Sequence, residues 1–137
     1  MGGLQMLTNF AEAEIVDPAL AACEALQVAP IDLKHLRRYT MGNIELEKEI
    51  LGLFLGQLPE TIRSLTEAAT EREWHVAAHT LKGSGRAVGA WRVARLAEHA
   101  ERQLNVMNRP ACREAIARIE TAAEEARVFI TATYAAA

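Results

Sequence analysis

Aromatic side chains are scarce in this chain of 137 residues: three Phe, two Trp and two Tyr make up 5% of it, although half of its residues are hydrophobic. A sandwich or barrel core is hard to assemble from that stock, whereas stripes of Ala and Leu suit close-packed helices. Cysteine is nearly absent, and Cys23 and Cys112 show no paired spacing. That argues against a disulfide scaffold or a cysteine-based metal site and leaves both as small core residues. No apolar run approaches the ~18 residues of a membrane span. No Lys or Arg precedes Lys34, so the cationic start of a signal peptide is missing, and a soluble, cytoplasmic protein is expected. Positive charge is also short, with 15 Lys and Arg against 18 Asp and Glu. The formal charge of −3 argues against a nucleic-acid binder, because a phosphate backbone demands a basic face. Finally, no stretch alternates with period two for the length of a strand.

What is present is helical. The length fits one domain with a continuous core. Residues 1–16 have no clear period and are expected to form a peripheral arm, with 17–137 as the folded domain. Asp17-Pro18 is a helix-start signal for a short helix through about Leu26. Pro30-Ile31-Asp32 repeats it, with Asp32 capping a segment that holds Leu33, Leu36 and Tyr39. Gly42-Asn43 then breaks the chain and offers Asn43 as the next cap. Four longer helices follow. The first carries Leu46, Ile50, Leu53, Phe54, Leu58, Thr61 and Leu65 at helical spacing, and Pro59 predicts a bend or short break inside it. The second spans about Glu71 to Val88 and stops at Gly89, a left-handed cap. The third holds Val93, Leu96, Ala97, Ala100, Leu104 and Met107, ending at Asn108-Arg109-Pro110. The fourth carries Cys112, Ile116, Ile119, Ala123, Ala126, Phe129 and Ile130. Short connections favour antiparallel neighbours, so the expected fold is all-α: an antiparallel up-down four-helix bundle with short N-terminal helical additions. Such a bundle completes its own core, and a monomer is expected.

The second long helix carries the chemistry. On a wheel of about 100° per residue, Trp74, Ala78, Leu81, Gly85 and Val88 gather on a core face. His75, His79, Lys82 and Arg86 follow each other on the opposite side, an exposed cationic stripe centred on an imidazole. Gly83 lies beside that stripe, one turn beyond His79. Glycine inside a helix costs roughly 1 kcal/mol relative to alanine, so it needs a reason. Bare backbone there would leave His79 open to a bulky partner. Gly85, on the buried face, would let a neighbouring helix approach. Lys82 and Arg86 put positive charge where a phosphorylated imidazole would carry about two negative charges. Neutral histidine is nucleophilic near neutral pH, and its phosphoramidate can pass the group onward.

At these residues the chain resembles the histidine-containing phosphotransfer (HPt) family. The matching segment is His79-Thr80-Leu81-Lys82-Gly83-Ser84, followed by Gly89-Ala90 and by Leu96-Ala97 with Glu101; the first long helix, with Phe54 and Pro59, is similar too. By pattern the likeness spans roughly Ile31 to Glu101. The resemblance implies that His79 is the phosphoacceptor, that Lys82 and Gly83 serve it, and that the partners are receiver domains with a phosphorylatable aspartate. The family often has Gly-Asp before the aromatic at Trp74; this chain has Arg72-Glu73, which is expected to alter a helix start and not the chemistry. If the chain reverses at Gly89, His99 and Glu101 fall opposite His79. Glu101 flanks the apolar stripe and is the better candidate to accept the second ring N–H and fix the tautomer; His99 points away. The expected activity is therefore a phosphoryl carrier without kinase activity of its own, taking the group on His79 from a receiver aspartate or a kinase and passing it to another receiver. Lys82, with Arg86 as a further candidate, would balance developing charge.

Other readings compete. His75 and His79, spaced i, i+4, could present two zinc ligands, but Val76 replaces the Glu of the metalloprotease motif and no third ligand has obvious spacing, so no metal site is assigned. No cofactor is expected, with magnesium supplied by the receiver. Ser84 lies toward the core flank, and His35 and His99 read as surface residues. A kinase fragment is disfavoured by Thr80, where dimerisation helices place an acid, and by the lack of a glycine-rich ATP-binding region. The phosphoacceptor domain of a chemotaxis-type kinase and a non-catalytic adaptor for receiver domains remain alternatives.

Overall fold

The computed structural model describes residues 29–103 and 105–135; the arm expected over 1–16, the short helix expected from Asp17, Cys23 and Leu104 lie outside them. Five helices make up the described chain: α1 (Leu33–Thr40), α2 (Ile44–Glu67), α3 (Glu71–Val88), α4 (Trp91–Glu101) and α5 (Arg109–Tyr134). Among the described residues there is no strand. Every start except that of α4, which follows Ala90, is set by a side chain that satisfies an orphan backbone N–H. Asp32 accepts from His35 N at 3.1 Å, Asn43 from Leu46 N at 3.1 Å, Thr70 from Glu73 N at 3.1 Å and Asn108 from Ala111 N at 3.3 Å. At the start of α3, Glu73 also reaches back to accept from Ala69 N at 2.8 Å. The Arg72-Glu73 departure from the family pattern thus shapes a helix start: Glu73 reaches back much as in a capping box, but to the residue before the Thr70 cap.

Helices α2 to α5 pack as an antiparallel ring in which α3 touches α2 and α4, and α5 touches α2 and α4; α1 lies across α2 and α3. The core they enclose includes Leu51, Leu65, Trp74, Leu81, Val93 and Ile119, each almost wholly shielded from water. The four-helix bundle expected from the periodicity is therefore the fold, and Cys112 is buried in it as a free thiol. No helix among the described residues is long and apolar enough to cross a membrane.

Helix α2 runs through Pro59 without a break; packing of Phe54, Leu58 and Leu65 on both sides of the proline outweighs the roughly 3 kcal/mol that an interior proline costs. Two details depart from the sequence expectations. The buried face of α2 is Glu47, Leu51, Phe54, Leu58 and Leu65, so Leu53 is 63% exposed and not core. The third long helix ends at Glu101 instead of continuing to Met107, which is exposed. Asn105 accepts from Met107 N, and Asn108 caps α5; asparagine side chains that bond local backbone compete with the helical ladder. Among the described residues of this connection, Val106 is the buried one.

Candidate functional site

The geometry of the site begins with how closely α3 and α4 approach. At one end, a Cβ on Gly85 would stand 3.1 Å from the Ala90 carbonyl oxygen, 3.1 Å from Ala94 N and 3.2 Å from Ala94 Cβ. A residue without a side chain lets the two backbones sit this close; with a Cβ the neighbouring backbone would have to give by a few tenths of an ångström. The turn between them needs glycine again: Gly89 takes φ +81°, and its missing Cβ would lie 2.8 Å from the Asp32 carbonyl oxygen. Ala90 N closes on Gly85 O at 2.8 Å, the wrap of a helix ending in a left-handed residue. Asp32 in turn binds this corner, donating from its backbone N to Gly89 O at 2.8 Å and accepting from Trp91 Nε1 at 2.9 Å. At the other end, Trp74 Nε1 donates to Ala100 O at 2.6 Å inside the core. That bond fixes the register of α4 one residue before Glu101.

Glu101 consequently faces the middle of α3. Its Oε2 accepts from His79 Nδ1 at 2.8 Å, and its Oε1 accepts from Lys82 Nζ at 2.5 Å. His75 Nε2 is 3.4 Å from the same Oε2. The carboxylate is only 13% exposed, while the His79 ring is 65% exposed. Burial pushes the Glu101 carboxyl up, but the hydrogen bonds from Lys82 and His79 and their charges outweigh it and hold its pKa below the ordinary carboxylate value. An ionised Glu101 fixes the proton of neutral His79 on Nδ1 and leaves the Nε2 lone pair available.

His79, Lys82, Gly83 and Glu101 are thus brought together. A Cβ at Gly83 would meet nothing within 4 Å, so the bare backbone beside His79 opens to solvent. Arg86 stands apart: its Nη2 is 3.7 Å from Glu98 Oε2, and its side chain, like that of Lys82, is only 15% exposed. This corrects the expected exposed cationic stripe at Lys82 and Arg86, while His75 and His79 are exposed as expected. Acids on α4 neutralise it, and the surface beside His79 is formed instead by Val76, Thr80, Gly83 and Ala87, all exposed. The reversal at Gly89 that placed Glu101 opposite His79 also places Glu98 opposite Arg86, a pairing not anticipated. His99 is exposed as expected. His35 is not a plain surface residue: it is half-buried, with Nε2 3.1 Å from Arg86 O and its ring edge-on to Trp91 at 4.8 Å. The pairing of His75 and His79 with a third donor, absent from the sequence spacing, is made by the fold through Glu101.

Searches of curated proteins and of solved structures return no match. The family model of the Hpt domain matches residues 49–128, a span that runs from α2 into α5 and contains every residue of this cluster. Hpt domains are phosphocarrier modules of phosphorelays, not kinases, and they interact with receiver domains. With more than half of its length matched and a four-helix bundle that holds an exposed histidine against a half-buried carboxylate, the chain belongs to the Hpt domain family.

Proposed function

We propose that the protein accepts a phosphoryl group on His79 Nε2 from the aspartyl phosphate of a receiver domain and surrenders it to the aspartate of another. The observation that carries this reading is the His79–Glu101 bond, which engages Nδ1 and leaves Nε2 as the free nitrogen of an exposed ring. In the forward step the Nε2 lone pair attacks phosphorus, the bond from phosphorus to the aspartyl oxygen breaks, and the receiver carboxylate leaves. No proton has to move, because Nδ1 keeps its own. Positive charge develops on the ring and is met by Glu101, a group already in place and shielded from water. Lys82 balances Glu101 and adds positive charge one turn from the arriving phosphoryl oxygens.

The receiver's magnesium supplies the remaining charge compensation. Access comes from Gly83 and the small side chains along the exposed face of α3. Val76, 53% exposed, adds an apolar contact of the kind that a transient interface uses. The carrier acts as a monomer in the cytoplasm. The test is to incubate the chain with a phosphorylated receiver and magnesium. An acid-labile, alkali-stable label is expected on the wild type and none on His79→Gln. Tight receiver binding with no label on the wild type would point to an adaptor instead.

A further inference from the structure

The phosphoacceptor helix carries a second imidazole that the proposed transfer does not use. His75 lies one turn before His79, and their rings stack 6.0 Å apart at 14° to each other. Both reach the same oxygen, Glu101 Oε2, at 3.4 Å from His75 Nε2 and 2.8 Å from His79 Nδ1. The three donor atoms all lie within 4.8 Å of one another. Tetrahedral zinc with bonds of about 2.0–2.2 Å separates its ligand atoms by roughly 3.4 Å, so the His75 distance to the carboxylate already has the required value, and the His79 distance, now that of a direct hydrogen bond, has to open by about half an ångström. The two nitrogens must also close on each other. Both rings are more than half exposed and sit at i, i+4, where side-chain rotation brings them together. The carboxylate, in contrast, is held rigidly, with Oε1 taken by Lys82 and Oε2 turned to the histidines.

We infer that His75, His79 and Glu101 form a binding site for a divalent transition metal ion such as zinc, and that occupation of this site and phosphorylation of His79 exclude each other. Two imidazoles and one carboxylate suit zinc, copper or nickel; magnesium prefers oxygen ligands and its own waters, so the ion a receiver needs does not compete. The first half of the inference stands on the donor geometry alone, and the second rests on His79 as the phosphoacceptor. Attack from Nε2 requires the ring proton on Nδ1. A metal on Nδ1 needs that lone pair, moves the proton to Nε2, and takes the carboxylate that would meet the developing charge. By linkage, a phosphorylated chain must bind the metal more weakly by the same factor that the metal disfavours phosphorylation.

The test starts with calorimetric titration of Zn²⁺ into the full chain, wild type and His75→Gln. One ion per chain is expected, bound with a micromolar dissociation constant that weakens at least about tenfold in the variant. Absence of binding, or equal affinity in the variant, would overturn the site. Label transfer from a phosphorylated receiver is then followed in magnesium with and without micromolar Zn²⁺. Zinc should abolish label on the wild type and spare His75→Gln; equal inhibition of both, or of neither, would overturn the mutual exclusion. A chain that binds zinc through His75 but takes no label in zinc-free buffer would leave the site standing and contradict the carrier reading instead.

Discussion

Gly83 and Gly85 sit two residues apart on one helix, and the same substitution at each should have opposite consequences. Replacing either by alanine gains up to roughly 1 kcal/mol of helix propensity. At Gly83 nothing opposes the gain, because the new methyl meets no atom within 4 Å. At Gly85 the methyl would stand 3.1 Å from two backbone atoms of the neighbouring segment, Ala90 O and Ala94 N. Backbone cannot rotate aside, so α4 must shift, and overpacking of this kind costs about 1–3 kcal/mol. The net expectation is stabilisation by up to about 1 kcal/mol for Gly83→Ala and destabilisation by about 1 kcal/mol for Gly85→Ala. At roughly 4 °C per kcal/mol for a domain of this size, the two variants should melt about 8 °C apart, measured by circular dichroism. Transfer should fall in both: in Gly85→Ala because displacement of α4 draws Glu101 from His79, in Gly83→Ala because the methyl crowds the face a receiver approaches. A Gly85→Ala variant at least as stable as the wild type would refute the close α3–α4 packing. A stabilised Gly83→Ala with an unchanged transfer rate would refute the role of Gly83 in access.

Glu101→Gln keeps an acceptor for His79 Nδ1–H but removes the charge. Hydrogen bonds to charged groups contribute about 1–1.5 kcal/mol more than neutral ones, so transfer should slow about tenfold, and Glu101→Ala should slow it further, in a rapid-quench assay. Asp32, Glu47 and Glu101 should make the fold acid-sensitive. Burial raises Asp32 and Glu101, but the Trp91 and His35 bonds to Asp32, and the Lys82 and His79 bonds to Glu101, outweigh it; at Glu47 the Arg37 bond dominates. All three are held below their ordinary values of 3.8 and 4.5. Their contribution is full above those values and is lost as pH falls through the lower folded ones; a midpoint for urea unfolding that stays flat from about pH 5 to about pH 3 would contradict this. Glu47→Ala should cost about 2–3 kcal/mol by urea unfolding, because the wholly buried carboxylate accepts from Arg37 at 2.8 Å and from the Tyr134 hydroxyl.

The sequence reading reached furthest where the signal was local. Gly89 ends α3 in the left-handed conformation that its position suggested, and Asp32 and Asn43 cap the helices they precede. The register of α2 was harder, because Leu46, Ile50 and Leu53 offer a stripe as regular as Leu51, Phe54 and Leu58. The choice falls to Glu47, buried on the second stripe by partners ten and eighty-seven residues away; a wheel drawn on one helix cannot contain them. For the same reason Lys82 and Arg86 read as an open cationic stripe until Glu101 and Glu98 of α4 are set against them. The end of α4 was missed because Leu104 and Met107 keep the apolar period beyond the point where the two asparagines take over the backbone.

The central claim is that His79 carries the phosphoryl group on Nε2, with Nδ1 held by Glu101. Phosphorus and proton–nitrogen NMR of the chain phosphorylated by a receiver tests it most directly. One phosphoramidate signal is expected, with Nε2 as the phosphorylated nitrogen, lost in His79→Gln and kept in His75→Gln. A signal that survives in His79→Gln, or one assigned to Nδ1, would contradict the account.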